Sequence, residues 1–173
     1  MVKPSQISPS ELEDKKTTWK AEVKFLIAYY HYLLLQNYGP IVILEKSIDL
    51  NAPKEELFRP RIPYDECVEK IAGMFDAAAQ NLPTTVKASN YGRATKVTAQ
   101  ALKARMYLYA ASPQFNGNAQ MYKEFKNKDG QQLISQTYNK EKWKKAMDEC
   151  KKAIQMAEQA GIKLYTYTKK TNL

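Results

Sequence analysis

The chain has 173 residues, 44% of them hydrophobic, with two cysteines and a formal net charge of +9 at neutral pH. That length allows one domain with a real core, because folding at this size buries roughly 70% of the surface that the unfolded chain exposes. It excludes a membrane-spanning helix, since the longest apolar run, "FLIAYYHYLLL", is too short to cross a bilayer.

The N-terminal "MVKPSQISPSELEDKK" carries no apolar run of the kind found in a signal peptide. The first helix is expected over residues 11–37, with Ser10 as N-cap and the acidic residues Glu11, Glu13 and Asp14 complementing the helix dipole. "NYGP" stops it by supplying a glycine and then a proline. Ile41 to Leu44 is a short β-branched run suited to an extended arm. A second helix is expected over 64–81, entered through Pro63, with Asp65 and Glu66 in its first turn. A third runs over 95–111 from Thr95 as N-cap, and Ser112-Pro113 breaks it because a residue before proline is pushed away from helical angles. Pro113 to Tyr138 reads as a long loop with a turn at Asn116-Gly117. The fourth helix is expected over 140–160, with Gly161 as its left-handed cap.

These helices share a packing pattern. Tetratricopeptide repeats alternate a first helix and a second helix at a period of about 34 residues, using small residues where helices approach and one large residue to fill the gap. Ala21, Phe25 and Ala28 fit the second-helix spacing, as do Ala104, Leu108 and Ala111. Val68, Ile71, Ala72 and Phe75 fit the first-helix spacing, as do Trp143, Ala146, Met147 and Cys150. The fold expected is therefore all-α, a tetratricopeptide-like helical repeat array, or α-α superhelix, with long loops. An unrelated antiparallel bundle is the alternative.

Catalytic chemistry is thinly represented. The six glycines form no phosphate-cradling motif, and the sole histidine, His31, lies in "YYHYLLL" without a carboxylate or second ligand at helical spacing. It reads as a packed ring. Acidic pairs such as Asp65-Glu66 and Asp148-Glu149 are adjacent, so their members point to different helix faces and suit caps and solvated surfaces. No enzyme activity, no cofactor and no metal site are expected. The lysines of "EDKKTTWK" and "EKWKKAMDECKKA" alternate with glutamates and read as solvated faces, so no nucleic-acid partner is expected despite the basic excess. Cys67 and Cys150 sit in apolar helical patterns and read as buried thiols. Loop aromatics are the remaining resource for binding: Phe58, Tyr91, Phe115 and Tyr122.

Three strings occur in an order that resembles the SusD/RagB family of outer-membrane lipoproteins: "WKAEVKFLIAYYHYLLLQNYGPIVIL", "YDECVEKIAGMFDAAAQNLP" and "YGRATKVTAQALKARMYLYAASPQFNGN". The resemblance runs from about Trp19 to Asn118, and "YNKEKWKKAMDECKKAIQMAE" looks like the family's next helix. One departure is Ile27, where many relatives carry arginine. The resemblance implies a glycan-binding subunit without hydrolytic activity. It also implies residence at the surface of the outer membrane through an N-terminal lipid anchor, and docking on a TonB-dependent SusC-like transporter to deliver oligosaccharide.

Family members are considerably longer, and neither a signal peptide nor a lipid-bearing cysteine is read in this chain. The expectation is a single partial domain over 1–173, the helical core segment of a SusD-like protein. Within it, Gln114, Phe115 and Asn116, after the third helix, offer one ring and two amides suited to sugar hydroxyls. Phe115 as a core plug and Asn116 as a turn residue is the equal alternative. Lys96, Lys103 and Arg105 are expected on the polar side of that helix.

Overall fold

The computed structural model describes residues 8–166. Its long helices are α1 (Pro9–Tyr38), α3 (Tyr64–Ala79), α4 (Lys96–Ala111) and α6 (Glu141–Gln159), with one-turn helices α2 (Lys54–Leu57) and α5 (Ala119–Tyr122) between them. No strand occurs among the described residues; an antiparallel bridge from Lys126 to Gln132 is isolated. Helix α1 packs on α3, α3 on α4 and α4 on α6. This serial stacking is the tetratricopeptide-like array that the small-residue spacing implied.

Helix starts and stops follow local chemistry. The N-cap of α1 is Ser8, whose hydroxyl accepts from the Glu11 amide, rather than Ser10. The shift places Pro9 in the first turn, where a missing N–H costs nothing. Gly39 closes α1 at φ 71°, its amide bonding to the Leu35 carbonyl. Thr95 caps α4 by accepting from the Thr98 amide. Gly161 has the expected positive φ, although α6 ends at Gln159.

Ala21, Phe25, Ala28, Tyr32 and Leu35 form the buried stripe of α1. Facing it, Val68, Ile71, Ala72 and Phe75 of α3 are buried, and Phe25 meets Phe75 edge to face at 5.8 Å. Helix α1 also has a second apolar stripe on its opposite side: Trp19, Val23, Leu26, Tyr30, Leu34 and Tyr38 are all exposed. Two opposed apolar faces leave α1 with little net amphipathicity.

Helix α4 is covered on two sides, by α3 and α6, so its buried arc holds Val97, Ala99, Gln100, Lys103, Ala104, Met106, Tyr107, Ala110 and Ala111. Leu108 lies just beyond that arc and is 46% exposed, so it is not part of the close-packed face. Lys103 is a larger correction, because it is buried rather than on the polar side. Its Nζ bonds Asp76 at 2.7 Å and Glu149 at 3.0 Å. Glu149 is likewise buried instead of solvated, because α6 packs that turn against α4. At the open end of the array, Trp143 and Met147 remain exposed although Ala146 is buried.

The connections are better ordered than loops of their length suggest. The arm from Ile41 to Leu44 is pinned to α1 by His31: Nδ1–H donates to the Ile27 carbonyl at 2.8 Å, and Nε2 accepts the Leu44 amide at 3.1 Å. A carbonyl only accepts, so these partners fix the tautomer. His31 is thus a buried linker, as a packed ring was expected to be. The stretch from Pro113 to Tyr138 includes α5 and buries Leu133 and Ile134, so it is a folded flap rather than an open loop. Cys67 and Cys150 are both free thiols, the first buried and the second half-buried.

Candidate functional site

The chain leaves α4 at Ser112, whose hydroxyl donates to the Tyr109 carbonyl at 2.6 Å. It then presents Gln114, Phe115 and Asn116 in three different settings. Asn116 is 4% exposed. Its Nδ2 donates to the carbonyls of Ala111 and Asn139, while its Oδ1 accepts the Asn139 amide at 2.8 Å. The side chain therefore joins the end of α4 to the entry of α6, and its polar atoms are engaged by backbone.

Phe115 is half-buried and lies between two rings, parallel to Tyr64 at 4.1 Å and to Tyr122 at 6.4 Å. Tyr122 continues to Phe125, and the Arg61 guanidinium covers Phe125 at 4.8 Å. This ladder fastens the flap to the start of α3. The backbone assists, with the Tyr64 amide donating to Leu133 and Asn127 Nδ2 donating to the Arg61 carbonyl. Of the two remaining loop aromatics named from sequence, Phe58 is 79% exposed and Tyr91 is 77% exposed, each apart from the ladder.

Gln114 is exposed and reaches the Tyr122 hydroxyl at 3.4 Å. It stands at the rim of a cleft of about 90 Å³ enclosed by α1, the first residue of α3, α4 and the Gln114–Phe115 turn. Tyr32, Leu35, Tyr64, Met106 and Tyr109 form its walls, and Gln36 and Gln114 also line it. The Tyr32 hydroxyl is buried and has no hydrogen-bond partner. Burial pushes the phenols of Tyr32 and Tyr64 up, so both stay protonated and able to donate. Nothing local in the sequence signals that the Tyr32 hydroxyl lacks a partner.

A second depression, of about 240 Å³, lies between α3 and α6 over α4. Its rims are oppositely charged: Lys142 meets Asp65 at 2.6 Å, and Lys145 meets Glu69 at 2.8 Å. Further along the same seam, buried Lys103 and Glu149 pair with each other and with the exposed Asp76 and Lys152. Burial alone raises the Glu149 carboxyl, but hydrogen bonds from Lys152, Gln100 and Lys103 outweigh it and hold the group down at about 2. The lysines along this seam are neutralised in place. Among the described residues no group of three or more His, Cys, Asp or Glu is arranged to hold a metal ion.

The sequence pattern of a SusD-like family, described as starch-binding and associating with the outer membrane, matches residues 4–108. The chain belongs to the SusD-like family. The solved structure of BT4246 is similar at 40% identity and a TM-score of 0.81, over 89% of this chain and 27% of that one. A selenomethionine form of BT4246 gives 40% identity and a TM-score of 0.75, over 86% and 24%. A SusD-like protein (BF3747) from Bacteroides fragilis NCTC 9343 shares 32% identity at a TM-score of 0.52, over 57% of this chain and 19% of that one. No curated protein matches. This SusD-like chain thus spans about a quarter of the length of the solved relatives it matches.

The strings that carried the resemblance now have physical roles in the SusD-like fold. Tyr-Gly-Pro supplies the positive φ of Gly39 and the fully buried Pro40 that turn the chain into the arm. Arg93 of Gly-Arg-x-Thr-Lys forms a forked pair with Glu22 of α1, tying the entry of α4 across the array. Ser-Pro-x-Phe-Asn ends α4 and sets Phe115 and Asn116 as anchors of the flap.

Proposed function

We propose that this chain is a helical segment of a glycan-binding subunit of an outer-membrane polysaccharide-uptake system, held at the cell surface by a lipid anchor. It binds oligosaccharide without hydrolysing it and docks on a TonB-dependent SusC-like transporter. The observation that carries this reading is the match of residues 4–108 to a family described as starch-binding and outer-membrane-associated, supported by 40% identity to BT4246 along the same fold. The seam carboxylates fit a scaffold and not an acid/base pair, since Asp65, Glu69, Asp76 and Glu149 are each paired with a lysine.

Within the chain, the sugar-facing element is the turn after α4. Gln114 supplies the exposed amide, while Phe115 and Asn116 hold the turn in place from below. Docking uses the outer stripe of α1, where six large apolar side chains lie exposed on one helix face. A broad apolar face of this kind suits a protein partner rather than a soluble sugar.

A glycan array probed with the full-length protein, followed by titration of the strongest ligands, tests the reading. Retention of a defined oligosaccharide class is expected. Failure to retain any glycan, or undiminished oligosaccharide uptake in cells from which the transporter is deleted, would remove it.

A further inference from the structure

The arginines of this chain differ in what surrounds them. Arg59 pairs with Glu56 and Arg93 with Glu22, while Arg61 is taken up by the flap over the half-buried Phe125 ring. Arg105 is exposed and has no carboxylate within ion-pair distance among the described residues; its guanidinium lies 5.8 Å from the centroid of Tyr109, a ring that is 42% exposed. Its ionisable neighbours are phenols, those of Tyr109, Tyr32 and Tyr29.

The sequence explains why no counter-charge arrives. From Phe25 to Tyr38 on α1, and from Lys96 to Asn118 through α4 and the turn after it, the chain contains no aspartate or glutamate. Those two stretches supply every residue of the cleft beside Gln114 except Tyr64. Asp65, next to Tyr64, is held by Lys142 on the side of α6. A solvated cation alone attracts any anion weakly, because water and salt screen it. The neighbours of Arg105 narrow the choice. Tyr109 extends from the guanidinium to the cleft, where Gln36 and Gln114, both exposed, present carboxamides. A guanidinium takes a carboxylate through two parallel N–H donors, a phenol ring packs against the C–H face of a pyranose, and carboxamides pair with hydroxyls. A hexuronate carries all three complements on one ring.

We propose that this surface binds a hexuronate unit of an acidic oligosaccharide, its carboxylate accepting from the Arg105 guanidinium, its ring resting against Tyr109 and its hydroxyls meeting Gln36 and Gln114. This inference rests on the glycan-binding reading and narrows its substrate class to acidic glycans. A neutral hexose has a hydroxymethyl group in place of the carboxylate, so it leaves Arg105 hydrated.

The test is calorimetric titration of the full-length protein with trigalacturonate and a hyaluronan tetrasaccharide, each compared with its carboxyl methyl ester. At least one acid is expected to bind about tenfold more tightly than its ester, because a hydrogen bond to a charged group is stronger than one to a neutral group. That preference should shrink as salt is raised from about 50 mM to about 500 mM. Arg105→Gln is an exposed change that should retain the parent's melting temperature and lose the preference. Since the chain carries a net charge of +9, exposed Lys128→Gln serves as a control for general attraction and should keep it. Equal binding of acid and ester, a preference that survives Arg105→Gln, or one that Lys128→Gln lowers as much overturns the assignment while leaving glycan binding intact. Binding of neutral glycans on the array with no binding of either acid overturns it as well. Absence of binding to both acids and to the whole array removes the glycan-binding reading too.

Discussion

Asn116 shows how one side chain decides a local structure. A buried carboxamide bridging Ala111 and Asn139 contacts three backbone groups, and truncation orphans the Asn139 amide and the Ala111 carbonyl, while the Asn139 carbonyl keeps the Lys142 amide. Asn116→Ala is expected to cost about 2–3 kcal/mol in urea unfolding. The buried seam makes a prediction in pH. Glu149 has its carboxyl lowered from 4.5 to about 2 in the fold, so its contribution is fully present above 4.5. That contribution disappears as pH falls through about 2. The shift corresponds to stabilisation on the order of 3 kcal/mol at neutral pH. Unfolding free energies measured between pH 6 and pH 2 should fall accordingly, and Glu149→Gln should flatten the profile over that interval.

Among the elements, the flap from Pro113 to Tyr138 and the arm from Ile41 to Leu44 depend on contacts from elsewhere in the chain. Phe115 sits between Tyr64 and Tyr122, so Phe115→Ala opens the middle of the ladder that holds the flap. A loss of about 2–3 kcal/mol is expected, below the range for a fully buried phenylalanine because Phe115 is half-buried. Hydrogen exchange should accelerate at the Tyr64 and Leu133 amides before it does in the interiors of α3 and α4. Helix α4 answers to a local signal instead. Thr95→Ala removes the acceptor for the Thr98 amide and should lower stability by about 1 kcal/mol in thermal unfolding.

For the molecule as a whole, α1 is the informative element, because its inner stripe builds the core and its outer stripe is exposed. Replacing two outer residues, Trp19→Glu with Tyr30→Glu, should leave the melting temperature within a few degrees, since both are largely exposed. The same pair should abolish co-purification with the SusC-like transporter on which docking is proposed, in cells that carry both proteins. Retained co-purification would move the docking face elsewhere on the array.

The sequence by itself determined the four long helices, their main stops and the family. Those signals are local: a cap, a proline, a glycine with positive φ, or a stripe repeating every three to four residues is readable within one turn or two of the chain. It also placed His31 as a packed ring. Only the tertiary structure decided the partners. Lys103 and Glu149 look like surface charges in their own helices and become a buried pair because α6 covers that side of α4. Asn116 looks equally able to face a sugar or close a turn until Asn139 arrives from 23 residues away. The Tyr32 hydroxyl, likewise, becomes an orphan only once α3, α4 and the Phe115 turn enclose it. Periodicity says which residues share a helix face, but which neighbour covers that face is set by how the elements pack.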